Sequence, residues 1–324
     1  MASDKLFTWG SSNVDSLLTT TQSVLAKTKD FLNDAIFSSI PLLQWLEQNN
    51  RVKRQGGASI LVPLLYGKNS TFKAYSKDDT FDTTGQEGLT MAQAKWTNYG
   101  GTITIFGDEM RQNAGEGKLF DLVKAKTMQA TMSGRDALAI DLFLSAQNTK
   151  KVAALDVLVD ATSTVQDING TTNSWWQAQV ITSGSFAARG MADLRNLRDT
   201  ILKQGQGGSP APSCIITTQL ISELYEQANA QSIRYGPRDE ADLSFSGLKF
   251  STAMVKFDPN CATGNLYMLS PEALSFVVHS DAEWTIGDFK EPVDQDVRTA
   301  KVIWMGNLVV NNRRKLGKLA SITA

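Results

Sequence analysis

Apolar residues recur at helical spacing along the longest patterned stretch of the chain, from about residue 118 to 147. The stripe consists of Leu119, Leu122, Val123, Met128, Met132, Leu138 and Leu142. The pattern predicts one helix of roughly eight turns, whereas helices of globular domains average about three to four turns. We therefore expect a long helix on which the neighbouring elements pack.

An alternating pattern lies just before this helix and predicts a β-strand. Ile103 and Ile105 lie on one face, with Thr102 and Thr104 on the other. The alternation ends at Gly107, and a second break rich in Asn and Gly follows at 113–117. Strand and helix are thus separated by residues that interrupt regular structure.

The N-terminal arm carries apolar pairs at a seven-residue interval. The pairs are Leu17–Leu18, Val24–Leu25 and Phe31–Leu32, and they predict an amphipathic helix from about Val14 to Ser38 that is ended by Pro41. Three heptads are too few for a stable isolated helix. We expect this stripe to dock on the body of the protein, on a neighbouring copy or on a partner helix.

The region from Gly56 to Phe106 predicts a long β-hairpin. One arm is ASILVPLLYG, which extends toward Phe72 and Tyr75, and the predicted return arm runs from Lys95 and Trp96 to Phe106. The segment between the arms is rich in Asp, Thr and Gly, which favour turns. Because an isolated hairpin is marginally stable in water, we expect something outside its own fold to cover it.

Shorter patterns fill the second half of the chain. Apolar spacing predicts a helix at Met191–Gln204, and the segment GQGGSPAP after it is the clearest linker. The segment SCIITT predicts a buried strand, which a further helix and several short strands follow.

Composition narrows the classes of function. The chain has 324 residues, 42% of them hydrophobic, which suffices for a packed core. With 32 Lys and Arg against 33 Asp and Glu, the formal net charge is −1, so no overall attraction to nucleic acid or to a membrane surface is expected. No apolar run approaches the roughly 18 residues of a membrane span, and the first residues lack the pattern of a signal peptide.

Candidate catalytic and metal-binding groups are sparse. The single histidine, His279, cannot form a metal site alone and has no identifiable partner for general-base catalysis. Cys214 and Cys261 lack CxxC spacing and are expected to be free thiols. The glycine-rich stretch 205–208 follows a helix, whereas a phosphate cradle precedes one, and acidic pairs such as Asp78–Asp79 are expected to be solvated. We expect no enzyme activity, no cofactor and no metal.

The order of these parts resembles the major capsid protein of tailed bacteriophages (Caudoviricetes), a fold shared with encapsulins and herpesvirus shells. Four segments carry the resemblance: RVKRQGGASILVPLLYGKN, AKWTNYGGTITIFGDEMRQNAGEGKLFDLVKAK, INGTTNSWWQAQV and GNLVVNNRRKLGKL. The motifs are structural and not catalytic, and their order along most of the chain is what points to this family.

The resemblance implies an α+β capsid fold with four parts. Residues 1–55 would be the N-terminal arm and 56–106 an extended β-hairpin loop that overlies the adjacent subunit. Residues 107–210 and 284–324 would form the peripheral domain with the spine helix at about 118–147, and 211–283 the axial α/β domain.

The resemblance also implies roles for individual residues. Contacts between subunits are expected at Leu17, Leu18, Val24, Leu25, Phe72, Tyr75, Trp96, Ile103 and Ile105. A hinge that lets hairpin and spine helix reorient during shell expansion is expected at Gly107, Asn113, Gly115 and Gly117. Some relatives join subunits by Lys–Asn bonds, but Lys68, Lys73 and Lys77 have no matched acceptor, so we do not predict that cross-link.

The implied function is that of a non-catalytic coat protein. Copies would assemble as pentamers and hexamers into an icosahedral shell around double-stranded DNA, held without sequence specificity. The implied partners are a separate scaffolding protein, a portal protein and, optionally, a decoration protein, with no membrane involved. The protein would assemble in the cytoplasm of a bacterial host and reside in the virion capsid.

Three alternatives stay open from the sequence. An encapsulin-like compartment would hold an enzyme cargo instead of DNA. A tail or baseplate structural protein would form rings or tubes instead of closed shells. A soluble α+β enzyme would be a monomer or small oligomer with one clear pocket and a strongly perturbed acid or base.

Overall fold

A computed structural model describes residues 40–112, 122–204, 211–232 and 248–323. Its α-helices are α1 (Pro41–Gln48), α2 (Gly107–Gln112), α3 (Leu122–Leu142), α4 (Leu155–Leu158), α5 (Met191–Gln204) and α6 (Gln219–Ser232). Two 3₁₀ turns lie at Ser174–Trp176 and Arg313–Lys315, and a π-helical turn at Phe186–Gly190.

The strands of the first half are β1 (Val52–Gln55), β2 (Ile60–Leu65), β3 (Leu89–Ala94), β4 (Thr97–Phe106), β5 (Thr164–Val165), β6 (Ile168–Asn169) and β7 (Gln179–Thr182). Those of the second half are β8 (Cys214–Thr217), β9 (Lys249–Phe250), β10 (Ala253–Phe257), β11 (Leu266–Leu269), β12 (Leu274–His279), β13 (Thr285–Ile286), β14 (Val297–Val310) and β15 (Leu316–Ala320). The mixture of helices with mixed sheets is an α+β fold, as predicted.

The described residues fall into two compact units. The smaller unit comprises 101–112, 122–133 and 286–302, and the larger one 40–100, 134–204, 211–232, 248–285 and 303–323. These units differ from the sequence-based domain boundaries, whose assignment to arm, extended loop, peripheral domain and axial domain stays a prediction.

A six-stranded sheet in the order β7-β15-β11-β8-β10-β9 organises the larger unit. Strand β8 lies between β10, which is parallel to it, and β11, which is antiparallel. All four residues of β8 are buried, which confirms the buried strand predicted at this place. Helices α5 and α6 contribute Leu194, Leu197, Ile201, Ile221 and Tyr225 to the hydrophobic cluster on this sheet.

A second sheet has the order β1-β12-β14-β13, and β4 also pairs with β14. Strand β1 runs parallel to β12, and β12 runs antiparallel to the end of β14. Helix α1 begins at Pro41, whose missing N–H is tolerated in the first turn. Its buried Leu42, Trp45 and Leu46, at helical spacing, join the main cluster of the larger unit.

The predicted hairpin is present with a different return arm. Strand β2 pairs antiparallel with β3, Leu89–Ala94, and not with the segment Lys95–Phe106. That segment forms β4 and pairs with β14, whose 14 residues offer a longer partner than the six of β2. The prediction of the return arm was therefore wrong, because the alternation at Ile103 and Ile105 indicates a strand but not its neighbour.

The long helix ends earlier than its pattern predicts. Helix α3 stops at Leu142, and the next turn tightens, since the Phe143 N–H donates to the Ile140 carbonyl at 3.2 Å. The predicted start near 118 lies outside the described residues. In α3 only Leu138, Ala139, Asp141 and Leu142 are buried, and among the described residues of the predicted apolar stripe Leu122 and Met132 are half-buried and Val123 and Met128 are exposed.

Candidate assembly surface

The hairpin β2–β3 carries apolar residues on both of its faces. Side chains alternate between the faces along each strand, and residues paired across the strands share a face. The inner face packs into the core through Ile60, Val62, Leu64, Ala92 and Ala94. The other face is exposed and contains Leu61, Pro63, Leu65, Leu89 and Met91. We call these five residues the outer hairpin face.

The outer hairpin face is uncovered where its strands approach the connecting segment. Leu65 and Leu89 lie directly opposite each other and are each 78% exposed. Clustered exposed apolar residues on a soluble protein mark an interaction site, whereas scattered single ones do not.

The segment that connects β2 to β3 also carries exposed aromatic side chains. Phe72 is 93% exposed, and Tyr75 and Phe81 are also exposed. The rings of Tyr75 and Phe81 lie against each other with centroids 4.9 Å apart. These residues add apolar area to the same loop.

Contacts to separate segments hold both ends of the paired strands. The Tyr66 ring stacks on Trp175 with centroids 5.0 Å apart. The Trp96 indole N–H donates to the Gly57 carbonyl at 2.8 Å, and its ring meets His279 edge-on at 5.2 Å. The paired strands are thus held at both ends, while the outer hairpin face is exposed.

A buried arginine holds the segment that carries the tryptophan pair. Arg313 is 0% exposed and donates to the carbonyls of Val157, Leu158, Asp160, Ser163 and Trp176 at 2.6–3.3 Å. Burial lowers the pKa of Arg313 to about 10, against a smaller raising effect of the Asp160 charge. Backbone carbonyls therefore accept all the hydrogen bonds that this guanidinium donates, and the guanidinium links residues 157–163 to Trp176.

Known structures of protein shells match this fold over nearly its whole length. A chain of the cyanophage A-1(L) capsid aligns with a TM-score of 0.62 at 15% identity, covering 91% of this chain and 96% of that one. The capsid of the Myoviridae phage XM1 aligns at 0.56 and 11%, covering 91% and 98%. The chain has the phage capsid fold.

The known structures that match this chain also include a compartment shell. The SrpI encapsulin of Synechococcus elongatus PCC 7942 aligns with a TM-score of 0.56 at 8% identity, covering 92% of this chain and 95% of that one. Neither a family model nor a curated protein sequence matches this chain. The similarity thus lies in the fold.

The residues predicted as subunit contacts lie in different environments. Phe72 and Tyr75 are exposed, and Trp96 is half-buried at the root of the hairpin. Ile103 and Ile105 are both buried within a single copy, so their side chains are core residues and not contact residues. The alternation correctly placed them on one face of a strand, but that face turns inward. Leu17, Leu18, Val24 and Leu25 lie outside the described residues.

One of the four predicted hinge residues, Gly107, lies among the described residues. The Gly107 N–H donates to the Asp296 carbonyl at 2.9 Å, and a Cβ on Gly107 would lie 2.1 Å from an Asp296 carboxylate oxygen. Its φ is outside the left-handed region, so a larger residue there would have to displace the Asp296 side chain but would not strain the backbone. Asn113, Gly115 and Gly117 lie outside the described residues, and the hinge stays a prediction.

The His, Cys, Asp and Glu side chains of the described residues are the candidates for catalysis and metal binding. No three His, Cys, Asp or Glu side chains among them come together as a metal site requires. The His279 Nδ1 accepts from the Asp281 N–H at 3.2 Å and its ring packs on Trp96, which is a structural role. Cys214 and Cys261 are free and buried. No described helix combines the length and apolar character needed to cross a membrane.

Sequence reasoning missed most of the exposed surface. It named Phe72 and Tyr75 but not the outer hairpin face or Phe81. The continuous apolar run at 60–65 could have indicated the exposed apolar face. A strand that is covered on one face only alternates apolar and polar residues, whereas this strand is apolar at every position.

Proposed function

We propose that this chain is the non-catalytic major capsid protein of a tailed phage. Its copies assemble as pentamers and hexamers into a closed icosahedral shell that encloses double-stranded DNA. The observation that carries the proposal is the outer hairpin face, a row of apolar side chains on a capsid-fold hairpin that its own chain leaves uncovered.

A neighbouring copy is the occupant proposed for the outer hairpin face. Full burial of a leucine stabilises by about 1.5–3 kcal/mol, so covering Leu61, Leu65, Leu89 and Met91 offsets part of the entropy lost on association. A contact between different surfaces of identical copies closes into rings when the rotation between copies allows it. Repetition around each ring lets modest contacts resist internal pressure.

The remaining partners follow from the requirements of such a shell. A separate scaffolding protein would guide curvature during assembly in the host cytoplasm, and a portal protein would admit the DNA. A near-neutral chain, with net charge −1, holds DNA by enclosure and not by sequence-specific contacts. The proposed hinge at Gly107 and 113–117 would serve expansion of the shell.

Electron microscopy and sedimentation of the purified full chain, with and without its scaffolding protein, test the proposal. Closed shells, or rings that close on addition of scaffold, are expected. Leu65→Asp with Leu89→Asp should abolish assembly while the subunit keeps its circular dichroism spectrum, because the two side chains contribute little to its own core. Leu65→Met, of similar volume and polarity, should assemble normally. A chain that stays monomeric under every condition overturns the proposal.

A compartment shell with a protein cargo is the second candidate, favoured by the match to the SrpI encapsulin. The contents of purified particles separate the two. Nuclease-protected DNA supports the capsid proposal, whereas a co-purifying enzyme in particles without DNA supports the compartment.

A further inference from the structure

A cleft of about 650 Å³ opens in the larger unit where β2 runs into the connecting segment of the hairpin. Its walls include Pro63, Tyr66, Phe72 and the stacked Trp175. The volume is in the range of clefts that bind ligands, roughly 300–1,000 Å³. Apolar and aromatic walls of this kind suit an apolar side chain.

The charges of the cleft have one sign. Among the described lining residues, Lys68 and Arg314 are cationic and none is a carboxylate. Lys68 is exposed and Arg314 is half-buried. A ligand that combines an apolar group with negative charge would complement this cleft.

A loop of the smaller unit has the complementary character. Lys290 and Thr299 exchange two backbone hydrogen bonds of 2.9 Å, which close the base of the segment between them. At the tip, Val293 is fully exposed, next to the conformationally restricted Pro292. Carboxylates flank this apolar tip at Glu291 and Asp294.

The base of this loop also has a side-chain contact. The Glu291 carboxylate accepts from the Arg298 guanidinium across the loop. Ordering before binding lowers the entropy cost of docking. We call residues 291–294 the acidic knob.

We propose that the acidic knob of one copy docks into this cleft on an adjacent copy. Val293 would enter the cleft beside the stacked rings of Tyr66 and Trp175, with Asp294 facing Lys68 and Arg314. This inference rests on the proposed self-assembly and names one of its contacts. The contact joins two different surfaces, so it propagates around a ring.

Charge reversal and rescue in the full chain test the contact. Arg314→Glu and Asp294→Arg should each lower the assembled fraction about tenfold, since like charges then face each other across the contact. The double variant Arg314→Glu with Asp294→Arg should recover assembly to within about twofold of the unaltered chain. Sedimentation measures the assembled fraction, and circular dichroism verifies that each subunit is folded.

Two further variants examine the apolar part. Val293→Asp should prevent assembly, whereas the matched Asp288→Lys, an exposed charge change outside the acidic knob, should not. If Val293→Asp and Asp294→Arg assemble normally and only Arg314→Glu loses assembly, the acidic knob does not occupy the cleft. That result would indicate that a different ligand binds there. An unaltered chain that never assembles refutes the proposed function itself, whereas assembly of all variants refutes only this contact.

Discussion

Tyr66 stacks on Trp175 where β2 ends and the connecting segment of the hairpin begins, with ring centroids 5.0 Å apart and planes inclined by 24°. The two residues lie more than a hundred positions apart in the sequence. Their contact joins a strand whose outer face is exposed to a loop that is tied down by the buried Arg313. Because Trp96 holds the opposite end of the same strand pair, the hairpin is held at both ends and exposed along its outer face.

Tyr66→Ala should weaken this anchor without unfolding the subunit. An aromatic pair contributes about 0.5–1.5 kcal/mol beyond its buried area, and we expect the free energy of unfolding to fall by about 1–2 kcal/mol. Urea titration followed by tryptophan fluorescence measures the change. Tyr66→Phe keeps the stack and is the control, so an equal loss in both variants would contradict the stacking argument.

Arg313→Met should destabilise the fold far more than the same substitution at the half-buried Arg314. Five carbonyl oxygens lose the guanidinium donor. Those of Asp160 and Ser163 keep a backbone N–H donor, which leaves three that lose the donor described for them. Each buried unsatisfied acceptor costs about 1–3 kcal/mol, so a loss of at least about 3 kcal/mol is expected. Arg313→Lys should fall between the two, because an ammonium has three donors. Arg314→Met, at a half-exposed position, should stay within about 0.5 kcal/mol in thermal unfolding. Equal effects at 313 and 314 would refute the role of Arg313.

Gly107→Ala tests whether this glycine supplies space or flexibility. The new methyl group would collide with the Asp296 carboxylate, and we expect a loss of about 1 kcal/mol in the free energy of unfolding. The double variant with Asp296→Ala should recover most of that loss in a double-mutant cycle. A loss that persists in the double variant would show that the backbone itself requires glycine.

Both cysteines should resist alkylation in the folded chain. Burial raises the pKa of Cys214 to about 12, slightly opposed by Lys256. Burial also raises the pKa of Cys261 to about 12, with the Asp258 and Asp156 charges acting in the same direction. Since the thiolate is the reactive form, iodoacetamide at pH 8 should add no mass to the native chain and two adducts in urea. Rapid native labelling of either residue would disprove its burial.

Local patterns predicted the elements whose residues interact within one segment. The helix at Met191–Gln204 has the predicted bounds, and β8 is buried as expected. Apolar spacing and turn residues are sufficient there, because periodicity directly reports which positions face a core.

The non-local pairings could not be predicted in this way. The alternation at Ile103 and Ile105 indicated a strand with one apolar face, but either face could be covered by the same chain or by another copy. In the structure β4 pairs with β14, about two hundred residues later, and both isoleucines are buried. The outer hairpin face was missed for the same reason, since exposure depends on what the rest of the chain leaves uncovered.

The sequence by itself determined that the chain is an α+β protein with a hairpin before a long helix. Only the tertiary structure decided that β3 returns along β2, that Ile103 and Ile105 belong to the core, and that Leu65 and Leu89 face outward. The physical reason is that spacing specifies the faces of one element, whereas burial depends on which distant element pairs with it.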